Sequence, residues 1–183
     1  MITKDEFKKV CEIELEAMMG CMTVAAGQSD PIPMLVTIDH KGDTICNGLA
    51  NFGQLKNSEA RQRFLYEMGK RIAGEGSRIM MTFMAFYAWS SVVSPEEFES
   101  DFNSPREDPE RQEILAFSAT AIDGQTASAA IPTGRNQFKP ELDATNFPED
   151  VEIKYEYAQN SDVSNYLMAA FWCGLVKGIE DGR

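Results

Sequence analysis

Two runs of strand-forming residues, Ile114 to Ile122 and Gln125 to Ile131, meet at Asp123-Gly124. That dipeptide is favoured in two-residue hairpin turns, where both central positions need positive φ. The expected result is an antiparallel hairpin with Phe117 opposite Ala130, Ala119 opposite Ser128 and Ala121 opposite Thr126. Its surface is flat and small-chained over much of its length, which suits close approach by a backbone or a helix. Pro132 ends the second strand because it has no N–H for a ladder.

Upstream, Ile79 to Trp89 is apolar at both parities, with Met81, Phe83 and Tyr87 on one side and Met80, Met84 and Phe86 on the other. A strand covered on both faces is central. Met34 to Ile38 and Thr44 to Leu49 flank His40-Lys41-Gly42-Asp43 and read as a further hairpin. Val151 to Tyr157 alternates, as an edge strand with one wet face does, with a helix start as the alternative.

Helices flank these strands. Thr3 and Glu6 form a capping-box pattern ahead of Phe7, Val10, Cys11, Leu15, Met18 and Met22. Asn57 or Ser58 caps a second helix with the stripe Ala60, Phe64, Leu65, Met68 and Ile72, closed by Gly74 and Gly76. A third, capped by Ser161 or Asp162, carries Val163, Tyr166, Leu167, Ala170, Phe171, Gly174 and Leu175. Gly174 and Gly178, four apart, allow a neighbour to pack closely. Thr133 to Asp150 and the acidic stretch Glu96 to Glu113 read as irregular excursions, the latter with a helical turn around Glu96 to Phe102. The fold class is therefore α+β, a mostly antiparallel sheet of two hairpins and a central strand covered by N-terminal, middle and C-terminal helices.

The 183 residues fit a single domain, 1–183, long enough to bury a core without disulfides or a structural metal. A net charge of −12 repels a phosphate backbone, so direct nucleic-acid binding is disfavoured. The same surface could imitate DNA toward a DNA-binding protein. Cys11, Cys21, Cys46 and Cys173 form no C-x-x-C pair, and Met1-Ile2-Thr3-Lys4-Asp5-Glu6 has no signal-peptide apolar core. The expectation is a cytoplasmic protein with reduced thiols, those of Cys11 and Cys173 acting as small hydrophobes within helices. No membrane span and no cofactor is called for.

His40 is the single histidine, which removes two-histidine zinc sites and H-E-x-x-H and leaves at most one triad. It reads as a solvated turn residue; as a lone base, its nearest nucleophile is Cys46. Asp39 and Asp43 beside it match no calcium-loop spacing. No G-x-S-x-G elbow, phosphate loop or G-x-G-x-x-G fingerprint occurs, and Gly74-Glu75-Gly76 follows a helix, where C-capping accounts for it. Glu107, Asp108, Glu110 and Glu113, with Arg106 and Arg111, form either a solvated acidic loop or an ion-paired cluster at the sheet end. The most concrete pocket joins Trp89 at the end of the central strand with Arg111, Glu113 and Arg135, where an aromatic ring and two guanidinium groups could hold an anion. A tryptophan in that place also plugs the end of a core.

Phe86-Tyr87-Ala88-Trp89, the acidic loop, the Pro-x-x-x-Pro-x-Arg-x-Glu segment from Pro105 to Glu113 and the strand-Asp-Gly-strand hairpin resemble a set of uncharacterised bacterial and prophage proteins. The resemblance covers about residues 80–135 and implies no activity.

Two expectations of function follow, with a DNA mimic as a third. One is a non-enzymatic protein-interaction domain that binds another copy or another protein, because Met168, Trp172 and Val176 widen the apolar face of the last helix. The alternative is a binding protein or enzyme for a small anionic ligand, using Trp89, Arg111, Glu113 and Arg135.

Overall fold

The computed structural model describes residues 2–25, 32–55, 57–75, 78–90, 111–134, 147–157 and 166–182. Among the described residues six strands form one open antiparallel sheet: β1 (Met34–Asp39), β2 (Thr44–Gly48), β3 (Ile79–Ser90), β4 (Gln112–Ala121), β5 (Gln125–Pro132) and β6 (Lys154–Tyr157). Their order is β2-β1-β3-β4-β5-β6, which places β3 inside and leaves β2 and β6 at the edges. Helix α1 (Lys4–Ala25) covers one face, and α2 (Ser58–Gly74) and α3 (Tyr166–Asp181) cover the other. The α+β expectation holds, including the two-sided burial of β3.

Helix α1 begins where the capping box places it. The Glu6 N–H donates to Thr3 Oγ1 at 3.2 Å while the Thr3 N–H donates to a Glu6 carboxylate oxygen at 2.8 Å. Phe7, Cys11, Leu15 and Met18 then bury one helical face against Val36, Phe83, Phe117, Ala119 and Ala127. Each large side chain so buried stabilises the fold by about 1.5–3 kcal/mol. At the β6 edge Phe7 meets Tyr155 edge-to-face, with ring centres 6.4 Å apart.

On the other face α2 starts at Asn57, whose Oδ1 accepts from the Ala60 N–H at 2.8 Å. Tyr66 of α2 lies at Gly174 of α3, and Lys70 lies at Gly178, so the two helices run parallel. Their backbones touch: a methyl group on Gly174 would meet the Tyr66 carbonyl, and one on Gly69 the Phe171 carbonyl. The neighbour expected for Gly174 and Gly178 is thus α2. Met168 is buried in the chain's own core, and the Trp172 indole Nε1 donates to Thr82 Oγ1 on β3 at 2.9 Å. Of the three residues that widened the face of α3, Val176 alone stands in solvent, 54% exposed.

The β4–β5 hairpin departs from expectation by one residue. Phe117 pairs with Ala129, Ala119 with Ala127 and Thr120 with Thr126. Gly124 alone in the turn has positive φ (88°), and its N–H donates to the Ala121 carbonyl at 3.0 Å. This is a three-residue loop closed by a left-handed glycine, which needs no positive φ at Asp123. Because facing alternates along a strand, the slip decides that Ala127, Ala129 and Ile131, rather than their neighbours, join Phe117 beneath α1.

Three smaller corrections accompany it. Glu113, expected in a loop, lies within β4. Val151 to Ile153 precede the shorter edge strand β6. Cys173 is exposed on α3, whereas Cys11 is fully buried. The proposed turn at Glu96 to Phe102 and the caps Ser161 and Asp162 lie outside the described residues.

Candidate functional site

Strand pairing brings three of the four residues of the expected pocket together. Trp89 and Glu113 are direct cross-strand partners on β3 and β4. The Arg111 guanidinium stands 5.0 Å from the centre of the Trp89 ring. Glu113 is held from the far side: its Oε1 accepts from Thr133 Oγ1 at 3.1 Å, and its backbone carbonyl accepts from the Thr133 N–H at 3.1 Å. Thr133 is fully buried. Arg135, with Arg106, Glu107, Asp108 and Glu110, lies outside the described residues. The cluster joins β3, β4 and the end of β5 through a cation–π contact and two hydrogen bonds, which fix the strand ends in register.

The His40–Cys46 dyad does not assemble. Cys46 sits opposite Val36, and His40 occupies the turn beyond the Ile38–Thr44 pair. Four strand positions, about 13 Å, separate them where a nucleophile and its base need contact. His40 Nδ1 stands 4.0 Å from Asp39 Oδ2 in a solvent-exposed turn. Burial pushes the Cys46 thiol up, with Cys21 and Glu14 adding to it. Burial also holds the Cys11 thiol up at about 12, with Glu12 adding to it, so this thiol stays protonated at neutral pH. Among the described residues no cluster of three or more histidine, cysteine or acidic side chains is placed to hold a metal. No described helix is long and apolar enough to cross a membrane.

The edges of the sheet differ in a way that matters for binding. Edge β6, Lys154-Tyr155-Glu156-Tyr157, is four residues long and carries two charges. Edge β2, Thr44-Ile45-Cys46-Asn47-Gly48, has neither charge nor proline. Natural proteins blunt exposed edges with such devices, and β2 lacks them. Its outward backbone groups follow from the ladder. Asp39 bonds to Asp43 and Pro33 to Leu49, so alternation assigns the inward bonds to Ile45 and Asn47 and turns the N–H and C=O groups of Thr44, Cys46 and Gly48 outward.

Beside this edge, on the α2 face, lies a groove of about 730 Å³ lined by Asn47, Gly48, Leu49, Phe64, Arg63 and Arg71, among others. The Asn47 Nδ2 is buried there with no hydrogen-bond partner among the described residues. Ile45, on the same face of β2, is 52% exposed. A second groove of about 550 Å³ runs over the Ala116, Ser118, Ser128 and Ala130 surface of the hairpin, walled by Phe86 and Leu167. Sequence reasoning passed over β2 because its lack of charge carries meaning only once the strand order makes it an edge.

Comparison with protein-family models, with curated proteins and with solved structures finds no match to this chain.

Proposed function

We propose that this chain is a non-enzymatic protein-interaction domain whose occupant is a second copy of itself, paired edge to edge through β2. The observation that carries the reading is the undefended edge: five uncharged residues with three sets of outward backbone groups and an exposed isoleucine. Full antiparallel overlap of two such strands sets Cys46 opposite its counterpart and Thr44 opposite Gly48. It also sets Ile45 opposite Asn47, so each Ile45 enters the groove beside the other copy's Asn47 and Gly48. Such an arrangement is self-complementary, as a two-fold interface requires. The backbone bonds supply affinity, and the Ile45 side chain in its groove supplies register.

Ile45→Lys places a charge in that groove at an exposed position. Size-exclusion chromatography with light scattering at about 50 µM, well above the dissociation constant of a stable dimer, should give a dimer for the native chain. The variant should be a monomer with an unchanged thermal midpoint, while Tyr157→Lys on the opposite edge should remain a dimer. A monomeric native chain, or a dimeric Ile45→Lys variant, overturns the proposal.

A further inference from the structure

Helix α1 lies across the strands rather than along them. It starts at the β6 edge, where Phe7 meets Tyr155 edge-to-face and the Lys8 ammonium sits 5.2 Å from the centre of the same ring. The fourteen residues from Phe7 to Cys21 advance a helix by about 21 Å. The five strand spacings from β6 to β2 cover about 24 Å. Cys21 therefore arrives over β2.

The facing of both thiols agrees. Cys21 follows Glu14 by two helical turns and Met18 by one, and Met18 is buried against the sheet, so Cys21 borders the sheet-facing stripe of α1 at its exposed margin. Cys46 shares a cross-strand row with Val36 and Phe83, both of which face α1, so its thiol projects from that face. The electrostatic influence of Cys21 and Glu14 on the Cys46 thiol is what this placement produces. Both cysteines are free and solvent-exposed.

We infer that Cys21 and Cys46 form an oxidisable thiol pair, whose disulfide would tie the C-terminal end of α1 to edge strand β2. With glutathione disulfide as oxidant, one thiolate attacks the reagent, giving a mixed disulfide and releasing one glutathione. The second thiolate then attacks the protein sulfur of that mixed disulfide and releases the other glutathione. Two protein thiols are oxidised, one glutathione disulfide is reduced, and the two thiol protons leave with the glutathiones. A bridge needs Cα atoms about 4.4–6.8 Å apart, and Cys21 stands in the turn before the last of α1, which ends at Ala25.

The test is to incubate the full chain with glutathione disulfide and map it by non-reducing peptide mass spectrometry. The expected product is a chain two hydrogens lighter with no covalent link to a second copy, the Cys21 and Cys46 peptides joined and the thermal midpoint raised by about 5–10 °C. Cys21→Ser should abolish the link and leave Cys46 as a glutathione adduct, while Cys173→Ser should leave the link unchanged. Glutathione adducts on both cysteines without a link would overturn the pair. A covalent dimer through Cys46 alone would also overturn it, while leaving edge pairing through β2 intact.

Discussion

The Trp172 indole donates its one hydrogen bond to the Thr82 hydroxyl at 2.9 Å, tying α3 to the interior strand β3. Thr82 in turn lies within 3.3 Å of the Thr120 carbonyl on β4, so one hydroxyl serves helix and sheet. Thr82→Val keeps shape and strand propensity but removes the acceptor. It should cost about 1–2 kcal/mol in urea denaturation and shift the emission of Trp172. A loss below the error of the measurement would mean that water replaces the bond.

The contact between α2 and α3 sets opposite expectations for two helical glycines. Gly174→Ala gains helix propensity but drives a methyl group into the Tyr66 carbonyl, so a loss of about 3 kcal/mol is expected. At Gly20 in α1 a methyl group would meet nothing within 4 Å. Gly20→Ala should therefore stabilise by about 0.5–1 kcal/mol. Thermal melts of the two variants should move in opposite directions.

Asp181 at the end of α3 accepts from Lys177 at 2.9 Å and from Lys70 of α2 at 2.7 Å. Those two hydrogen bonds, Lys177 first, hold its carboxyl at about 2, below the ordinary 3.8. A depressed carboxylate contributes stability that is complete above its unfolded value and is lost as pH falls through its folded value. The window therefore runs from about pH 4 down to about pH 2. Melting curves of the native chain and Asp181→Asn should differ by a constant amount above about pH 5 and converge below that. Curves that stay parallel down to pH 2 would detach the ion pairs from stability.

Arg111 over Trp89 closes the far end of the β3–β4 pair. Arg111→Gln should cost about 0.5–1 kcal/mol and alter Trp89 fluorescence, measured in a Trp172→Phe background. No change in either readout would show that the stacking is incidental.

Elements fixed by neighbouring residues were legible in the sequence. Thr3 with Glu6 and Asn57 with Ala60 cap their helices as their spacing implies, and the two-sided run from Ile79 to Trp89 is the interior strand. The hairpin register was not legible, because Asp123-Gly124 serves two-residue and three-residue loops alike. Tertiary contacts decide: Gln125 is buried, and its Nε2 donates to the Ile2 carbonyl at 3.0 Å, locking the turn to the start of α1. The role of Trp172 was hidden for a similar reason, since its partner lies 90 residues away. At the candidate site the meeting of Trp89, Arg111 and Glu113 rests on the pairing of β3 with β4, which no local pattern encodes and which takes Glu113 out of the expected loop. The exposed edge depended on the order of all six strands, which no local pattern encodes.

The parallel packing of α2 and α3 has a consequence for assembly in time. Helix α3 follows every strand in the chain, yet it supplies half of the layer over β1 and β3. During synthesis α2 and that face of the sheet must wait, uncovered, until β6 has been made. Long-range closure of this kind slows folding and prolongs the exposure of apolar surface. A nascent chain halted after β6 should therefore be the species that chaperones hold and proteases cut.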